Sequence, residues 1–492
     1  MGLLDQEDDD LPLAQPALQA NPDFDWVADS QDLLHLVPHA PTFLIDAQNN
    51  YNLPPIKIPL VDIAQLNNEQ RQVYDHMENH YQLPNPLPLR ALVLGSAGTG
   101  KSVLIQALHQ LLGQCCKILA PTGVAALNIS GSTIHSFLHF AKPNDTRQLN
   151  GPALQILQAK CLEIKCIIID ELSMIGCRLI NAIDKRLRQA FPEKSDQFFG
   201  GCSIIMFGDF SQLPPVLYAR MFQPNVRSGV CLHDHSAYQT FDTAFFLSQC
   251  MRQANDLIFR DLLLRFRDGE STEQDNELLS RRFPGIADHD PVFNTATRLF
   301  PTCQLVHDYN SNRLLLLGNP IAQINSKHAG RNAHLVSSNL ACGLQRSVFL
   351  SVGSQVMLRA NLWVEKGLVN GSISTVLRII YCANQGLPAL PAFVVGIFPD
   401  YTGPTFLHEH PNSFPVTLIK RTWTAGHATL SRTGISLDLA LGLTIHKSQG
   451  LTMAKAVIDI GHHEMTAGIL FVALSRVRNI NDLLVNHSIS YQ

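Results

Sequence analysis

Three short apolar runs, Ala91-Leu92-Val93-Leu94, Ile118-Leu119-Ala120 and Cys166-Ile167-Ile168-Ile169, and the apolar-rich run Ser203 to Phe207 recur along the first half of the chain. Each is too short for a helix and is followed by glycine, proline or acidic residues, the pattern of strands buried on both faces of a parallel sheet. After the first run, "KSVLIQALHQLLG" places Val103, Leu104, Ala107, Leu108, Leu111 and Leu112 at helical spacing, with Gly113 as the stop. Strand, turn and helix in alternation predict an α/β architecture. Residues 373–437 differ: short alternating runs broken by turn residues predict small antiparallel strands, with Val376, Ile379, Phe393, Val395 and Ile397 as their core. Residues 1–60, rich in proline and acid with little periodicity, are expected to be poorly ordered.

Composition narrows the class. At 492 residues and 46% apolar, the chain is long enough for two or three domains with ample core. No apolar run approaches the roughly 18 to 20 residues that span a bilayer, and the acidic start "MGLLDQEDDDLPLAQ" is unlike a signal peptide, so the expectation is a soluble intracellular protein with no membrane partner. Gln6 stands where a myristoylation signal requires Ser or Thr. The eleven cysteines lack metal-ligand spacing and read as buried free thiols; a metal trio of Cys161, Cys166 and Cys177 is the weaker alternative. The His-Asp-His at 233–235 and the pair His462-His463 read as surface residues. A net charge of −4 gives no broad basic field, which speaks against a DNA coat protein but not against a narrow channel for one strand.

The chemistry begins with "GSAGTGKS", which follows the first apolar run and opens the helix. In Gly95, Ser96, Ala97, Gly98, Thr99 and Gly100, backbone N–H groups would turn inward around phosphate oxygens at a helix N-terminus. Lys101 would reach the β- and γ-phosphates of ATP, and Ser102 would ligate Mg²⁺. The run 166–169 delivers Asp170 as the magnesium carboxylate and Glu171 as the base for the attacking water. A third run ends in Gly208-Asp209, with Gln212 placed to sense the γ-phosphate. Arg252 in "LSQCMRQAND" and Arg476 in "FVALSRVRN" could each supply positive charge to the transferring phosphoryl group, or be ordinary ion-pair residues.

Taken in order, these segments resemble the Pif-one family of DNA helicases, the RecD-like B group of helicase superfamily one, from about residue 60 to 490. "LNNEQRQVYD" is similar to the Q motif, "GSAGTGKS" to motif I, "APTGVAALNISGSTIHSFL" to motifs Ia and Ib, and "IIIDELSM" to motif II. "FGGCSIIMFGDFSQLPPV" resembles the family signature with motif III, "LGLTIHKSQGLTMAKAVIDIG" motif V and "GILFVALSRVRNINDLLV" motif VI. The resemblance implies that Gln70 reads the adenine edge and that Gln449 and Gly450 join the nucleotide site. It also implies that Thr122, Gly123, Thr133, His135 and Phe137, with Thr444, His446 and Ser448, grip single-stranded DNA; for Phe137 a core position is an equal alternative.

The fold so implied is two RecA-like P-loop lobes: 61–238, with a small wedge insertion near 140–160, and 239–372 resumed at 438–492, with an SH3-like barrel inserted at 373–437. Arg252 and Arg476 are expected on the second lobe, facing an ATP held by the first. The implied activity is ATP-driven 5′-to-3′ translocation on single-stranded DNA and unwinding of forked duplex, by a nuclear protein that is a monomer when free. The roles implied are repair, recombination and telomere maintenance. The insert "PAFVVGIFPDYTGPTF" and the abrupt start are also similar to the helicase modules of Helitron transposons. The chain ends soon after motif VI, and no C-terminal accessory domain is expected. A single-strand translocase, an RNA helicase or a non-motor P-loop switch are the alternatives.

Overall fold

The computed structural model describes residues 18, 20–21, 23–50, 61–140, 147–215, 220–222, 237–253, 256–283, 293, 296–336, 338, 341, 343–383, 385–425, 428–460 and 468–486. They divide into two compact bodies.

One body comprises 55–291, 449–455 and 461–492. Its centre is a six-stranded parallel sheet of β1 (Arg90–Gly95), β2 (Cys116–Ala120), β3 (Ser132–Thr133), β4 (Cys166–Ile169), β5 (Ser203–Gly208) and β6 (Thr243–Leu247). The order is β3-β2-β4-β5-β1-β6, so β5 lies between the strand that carries the glycine loop and the strand that carries Asp170. Alternate residues serve opposite faces: Ala91, Val93, Ile168, Ile205 and Phe207 pack with Val73, Met77 and Leu104 on one side, and Leu92, Ile167, Ile169, Ile204 and Met206 with Ile180, Ile183 and Leu187 on the other. The near-continuous apolar runs follow from this two-sided burial, which is worth roughly 1.5–3 kcal/mol for each large aliphatic side chain. Parallel strands with helical crossovers in this body match the RecA-like expectation.

The other body comprises 1–54, 292–448 and 456–460. A short parallel set, β7 (Thr297–Phe300), pairs on either side with strands 442–444 and 456–458. A seven-stranded antiparallel sheet is built largely from 355–358, 373–380, 393–397, 413–425 and 428–435. The five residues expected to form one core here divide between two faces. Val376 and Ile379 pack with Val394 and Phe414, whereas Phe393 and Val395 pack with Ile380 on the opposite face, because neighbours in a strand point to opposite sides and the register shifts between Val376 and Arg378. Ile397 is half-buried.

Several expectations change. Within the N-terminal stretch, the described residues 23–50 are folded: helices Trp26–Asp29 and Ala40–Asn50 lie on the antiparallel sheet, Trp26 is 2% exposed, and Phe43 meets Phe406 edge-on at 5.0 Å. A few aromatic anchors hold it, too sparsely spaced to register as periodicity. Of the expected wedge, 141–146 lies outside the described residues, and 151–161 is a helix whose Leu157 and Cys161 enter the first body's core. The described residues of 239–283 and 468–486, expected in the second lobe, group with the first body. The stretches with the His-Asp-His and His462-His463 lie outside the described residues. Cys161, Cys166 and Cys177 are buried, the Cys177 thiol donating to Arg220 O and Met221 O, and no group of three or more His, Cys, Asp or Glu that could hold a metal occurs among the described residues. No helix among them is long and apolar enough to cross a membrane.

Candidate active site

The glycine loop runs from the end of β1 to the helix Lys101–Leu112. Gly98 and Gly100 have φ of +89° and +77°, a region that side chains with a Cβ enter only at a cost. Thr99 is fully buried and its hydroxyl donates to the Ser96 carbonyl at 3.0 Å. The Lys101 ammonium lies back over the loop, donating to the carbonyls of Gly95 at 2.7 Å and Ser96 at 2.8 Å. Burial pushes its pKa down, against the pull of Asp170, Glu171 and Asp209. Ser102 follows in the first helical turn.

Asp170 leaves the end of β4 and is 8% exposed. Burial and then the neighbouring Glu171 push its pKa up to about 7, against Lys101. Glu171 takes a left-handed conformation, φ +55°, strained for a residue with a side chain. Strain of this kind persists where the surroundings hold it, and Glu171 lies between Asp170 and the turn Leu172–Met174. A Cβ on Gly450 would stand 3.7 Å from its Oε1, so Gly450 lies beside the expected base.

Since β5 lies between β1 and β4, the turn after it enters the same site. Gln212 is buried there, and its Oε1 accepts from Gln449 Nε2 at 3.3 Å. The same Nε2 donates to Ser173 Oγ at 2.9 Å. Ser173 is a member that sequence reasoning missed, since only the fold brings it to a glutamine 276 residues away.

Arg252 and Arg476, expected on the second lobe, complete the constellation inside this same body. Met251 N and Arg252 N both donate to the Gly98 carbonyl, at 2.6 and 3.1 Å, so this segment lies on the loop itself. Arg252 Nη1 donates to Ser475 O at 3.4 Å. Arg476, 2% exposed, bonds Val472 O, Leu451 O and Ser475 Oγ. Burial, then the charge of Arg252, lower its pKa to about 10, with Glu171 opposing. Two shielded guanidiniums and a shielded ammonium thus share one field with Asp170 and Glu171, an arrangement that a polyanion would stabilise.

Gln70, expected to read the adenine edge, lies beside the loop. It is 5% exposed; its Oε1 accepts from Asn67 N, closing a capping box, and its Nε2 donates to Thr99 O at 3.1 Å. Both ends of the amide are engaged with backbone, because Asn67 at the helix N-cap demands a partner three residues on. The capping-box spacing was readable in the sequence; the link to the loop was not.

The expected DNA grips fall on both bodies. Thr122 Oγ1 accepts from Ala125 N and Thr133 Oγ1 from Ser136 N, each capping the helix beyond, and Gly123 begins the first of these helices. His135 is half-buried and its Nε2 lacks a partner, while Phe137 is 8% exposed within the main core, the position its packing reading expects. In the other body Thr444 Oγ1 accepts from Lys447 N, Ser448 Oγ donates to Ile445 O, and burial lowers the pKa of His446.

The PIF1-like helicase profile matches residues 65–277. The ATP-dependent DNA helicase PIF1 of Danio rerio is 30% identical over 398 residues, 80% of this chain and 57% of that protein. The ATP-dependent DNA helicase Pif1 of Bdellovibrio bacteriovorus is 30% identical over 396 residues, 79% of this chain and 82% of that one. A Pif1 helicase solved in work on DNA unwinding at forked double-stranded DNA by two coordinating Pif1 helicases has 26% identity and a TM-score of 0.68, covering 86% of this chain and 93% of that one. The chain spans little more than half the length of the Danio rerio relative, but it covers four fifths of the bacterial one at the same identity. It belongs to the PIF1-like helicase family.

Proposed function

We propose that the protein is an ATP-dependent DNA helicase that moves 5′ to 3′ along single-stranded DNA and opens forked duplex. The observation that carries this reading is that Lys101, Asp170, Glu171, Arg252 and Arg476 share one electrostatic field beside the glycine loop, with Gln212 on the turn after the neighbouring strand. Such a set binds a nucleoside triphosphate and stabilises the charge that develops on the transferring phosphoryl group. Loop N–H groups and Lys101 would hold the phosphates, Arg252 and Arg476 would face the γ-phosphate, and Glu171 would take the proton of the attacking water. Gln212, tied to Gln449, would report whether the γ-phosphate is present.

The donors fit Mg²⁺: a serine hydroxyl and an aspartate are hard oxygen ligands, and the Asp170-Glu171 repulsion is of the kind that a dication relieves. Ser102 and Asp170 would hold the ion, which would neutralise charge on the β- and γ-phosphate oxygens. DNA grips on two bodies, Thr122, Gly123, Thr133 and His135 on one and Thr444, His446 and Ser448 on the other, suit a motor that alternates its hold on a strand. Work at forks in repair, recombination, telomere maintenance or transposition, in the nucleus, belongs to the same proposal.

The test is unwinding of labelled forks with a 5′ or a 3′ single-stranded tail, with and without ATP, alongside ATPase with and without single-stranded DNA. Opening of the 5′-tailed fork alone is expected. ATPase that DNA does not stimulate, with no fork opened, would instead identify a nucleotide switch.

A further inference from the structure

Glu69 stands at the N-terminus of the helix Asn68–Gln82, one residue before Gln70, and has no role in the chemistry above. Its carboxylate collects three hydrogen bonds from residues 179 and 180 positions away: Ser248 N at 2.7 Å, Gln249 N at 3.2 Å, and the Ser248 hydroxyl. Burial raises its pKa, but these bonds outweigh burial and hold it below its ordinary value. Ser248 follows β6 directly and begins the strap that reaches the glycine loop two residues later, at Cys250. On that strap Cys250 Sγ donates to Ala97 O at 3.4 Å, and Met251 N and Arg252 N donate to Gly98 O. Gly98 makes the approach possible, since a Cβ there would lie 2.4 Å from Arg252 Cβ. Two consecutive residues of one helix end therefore hold the two sides of the site: Gln70 the loop carbonyls, Glu69 the strap.

We infer that Glu69 is a positioning residue for ATP hydrolysis, anchoring the Ser248–Arg252 strap so that the Arg252 guanidinium is set over the glycine loop. The inference rests on the reading of Arg252 as a γ-phosphate contact. The anchor lies outside the phosphate site, so its loss changes where Arg252 sits and leaves Lys101, Ser102 and Asp170 in place. An angstrom of misplacement at a reacting centre costs up to about 100-fold in rate.

The test is steady-state hydrolysis of MgATP by the full chain, with a saturating single-stranded oligonucleotide, for E69A, E69Q, S248A, R252A and E69A/R252A. E69A is expected to lower kcat about 10- to 100-fold with KM within about threefold. E69Q keeps an acceptor oxygen for the strap N–H groups and recovers most of the rate. E69A/R252A is expected to be no slower than R252A, because both changes remove the same contribution. Wild-type kcat in E69A, or losses that multiply in the double variant, overturns the inference while leaving the reading of Arg252 intact. Wild-type kcat in R252A overturns that reading, and the inference with it. If E69A does not fold, S248A, which deletes one bond at an exposed position, decides: a fall of several-fold in kcat at constant KM supports the anchor, and an unchanged kcat overturns it.

Discussion

Replacing Gly98 by alanine perturbs the contact between strap and loop at its closest point. Gly98 has φ +89°, and a Cβ there would lie 2.4 Å from Arg252 Cβ and 3.1 Å from Cys250 Sγ. The backbone term costs about 1–2 kcal/mol. Carbon atoms rest at roughly 3.5–4.0 Å, so Arg252 must retreat by more than about 1 Å. That retreat strains or breaks the two hydrogen bonds on Gly98 O, each worth about 0.5–1.5 kcal/mol net. The total is about 2–5 kcal/mol, a local cost that lifts the strap while the sheet beneath stays folded. Steady-state ATPase should then show kcat down about 100-fold. Gly113→Ala is the control: Gly113 has φ +56° but a Cβ there meets nothing within 4 Å, so it should lower Tm slightly and leave kcat alone. Wild-type kcat in G98A, or an equal fall in G113A, would refute the reasoning.

Glu171→Gln should retain ATP binding and lose about 10²–10⁴-fold in turnover, as expected when a general base is removed; pre-steady-state phosphate release checks this, and wild-type turnover removes Glu171 from the role. Phe137→Ala should destabilise the first body by about 3–5 kcal/mol in urea unfolding, because the ring is in the core. Phe137→Leu, folded, should bind single-stranded DNA at near wild-type affinity; a large loss in fluorescence anisotropy would restore the stacking role. Asp275 has its pKa lowered to about 2, chiefly by the hydrogen bond from Arg265. A carboxylate whose folded pKa is depressed stabilises above its unfolded pKa, near 4, and loses that contribution as pH falls through 2. Asp275→Asn should therefore cost about 1–2 kcal/mol at pH 7 and progressively less below pH 4, followed by Tm against pH; a pH-independent cost would count against it.

The phosphate-binding elements were legible because their signals are local. A strand followed by "GSAGTGKS" and a helix needs only contiguous residues, and 166–169 is the strand the apolar run predicted. The role split within residues of one type was not legible. Phe137 and His135 stand two apart in the same short helix, yet only Phe137 sinks into the core, and no spacing in so short a helix could assign it. Likewise the polar-looking preface carried too few anchors to reveal that Trp26 and Phe43 cover a sheet far downstream, against Tyr381, Phe406 and Phe414.

By itself the sequence determined which chemical groups exist and in what order: glycines that permit a phosphate loop, a lysine at its end, two acids after a buried strand, and two arginines far along the chain. Tertiary structure decided which of them meet. Strand order places β5 between β1 and β4, so Gln212 enters the site, and the Glu69-held strap sets Arg252 on Gly98. Local pattern reports backbone geometry and burial over a few residues. Pairing between strands and hydrogen bonds across 179 positions depends on the free energy of the whole packed body, and no short window of sequence contains it.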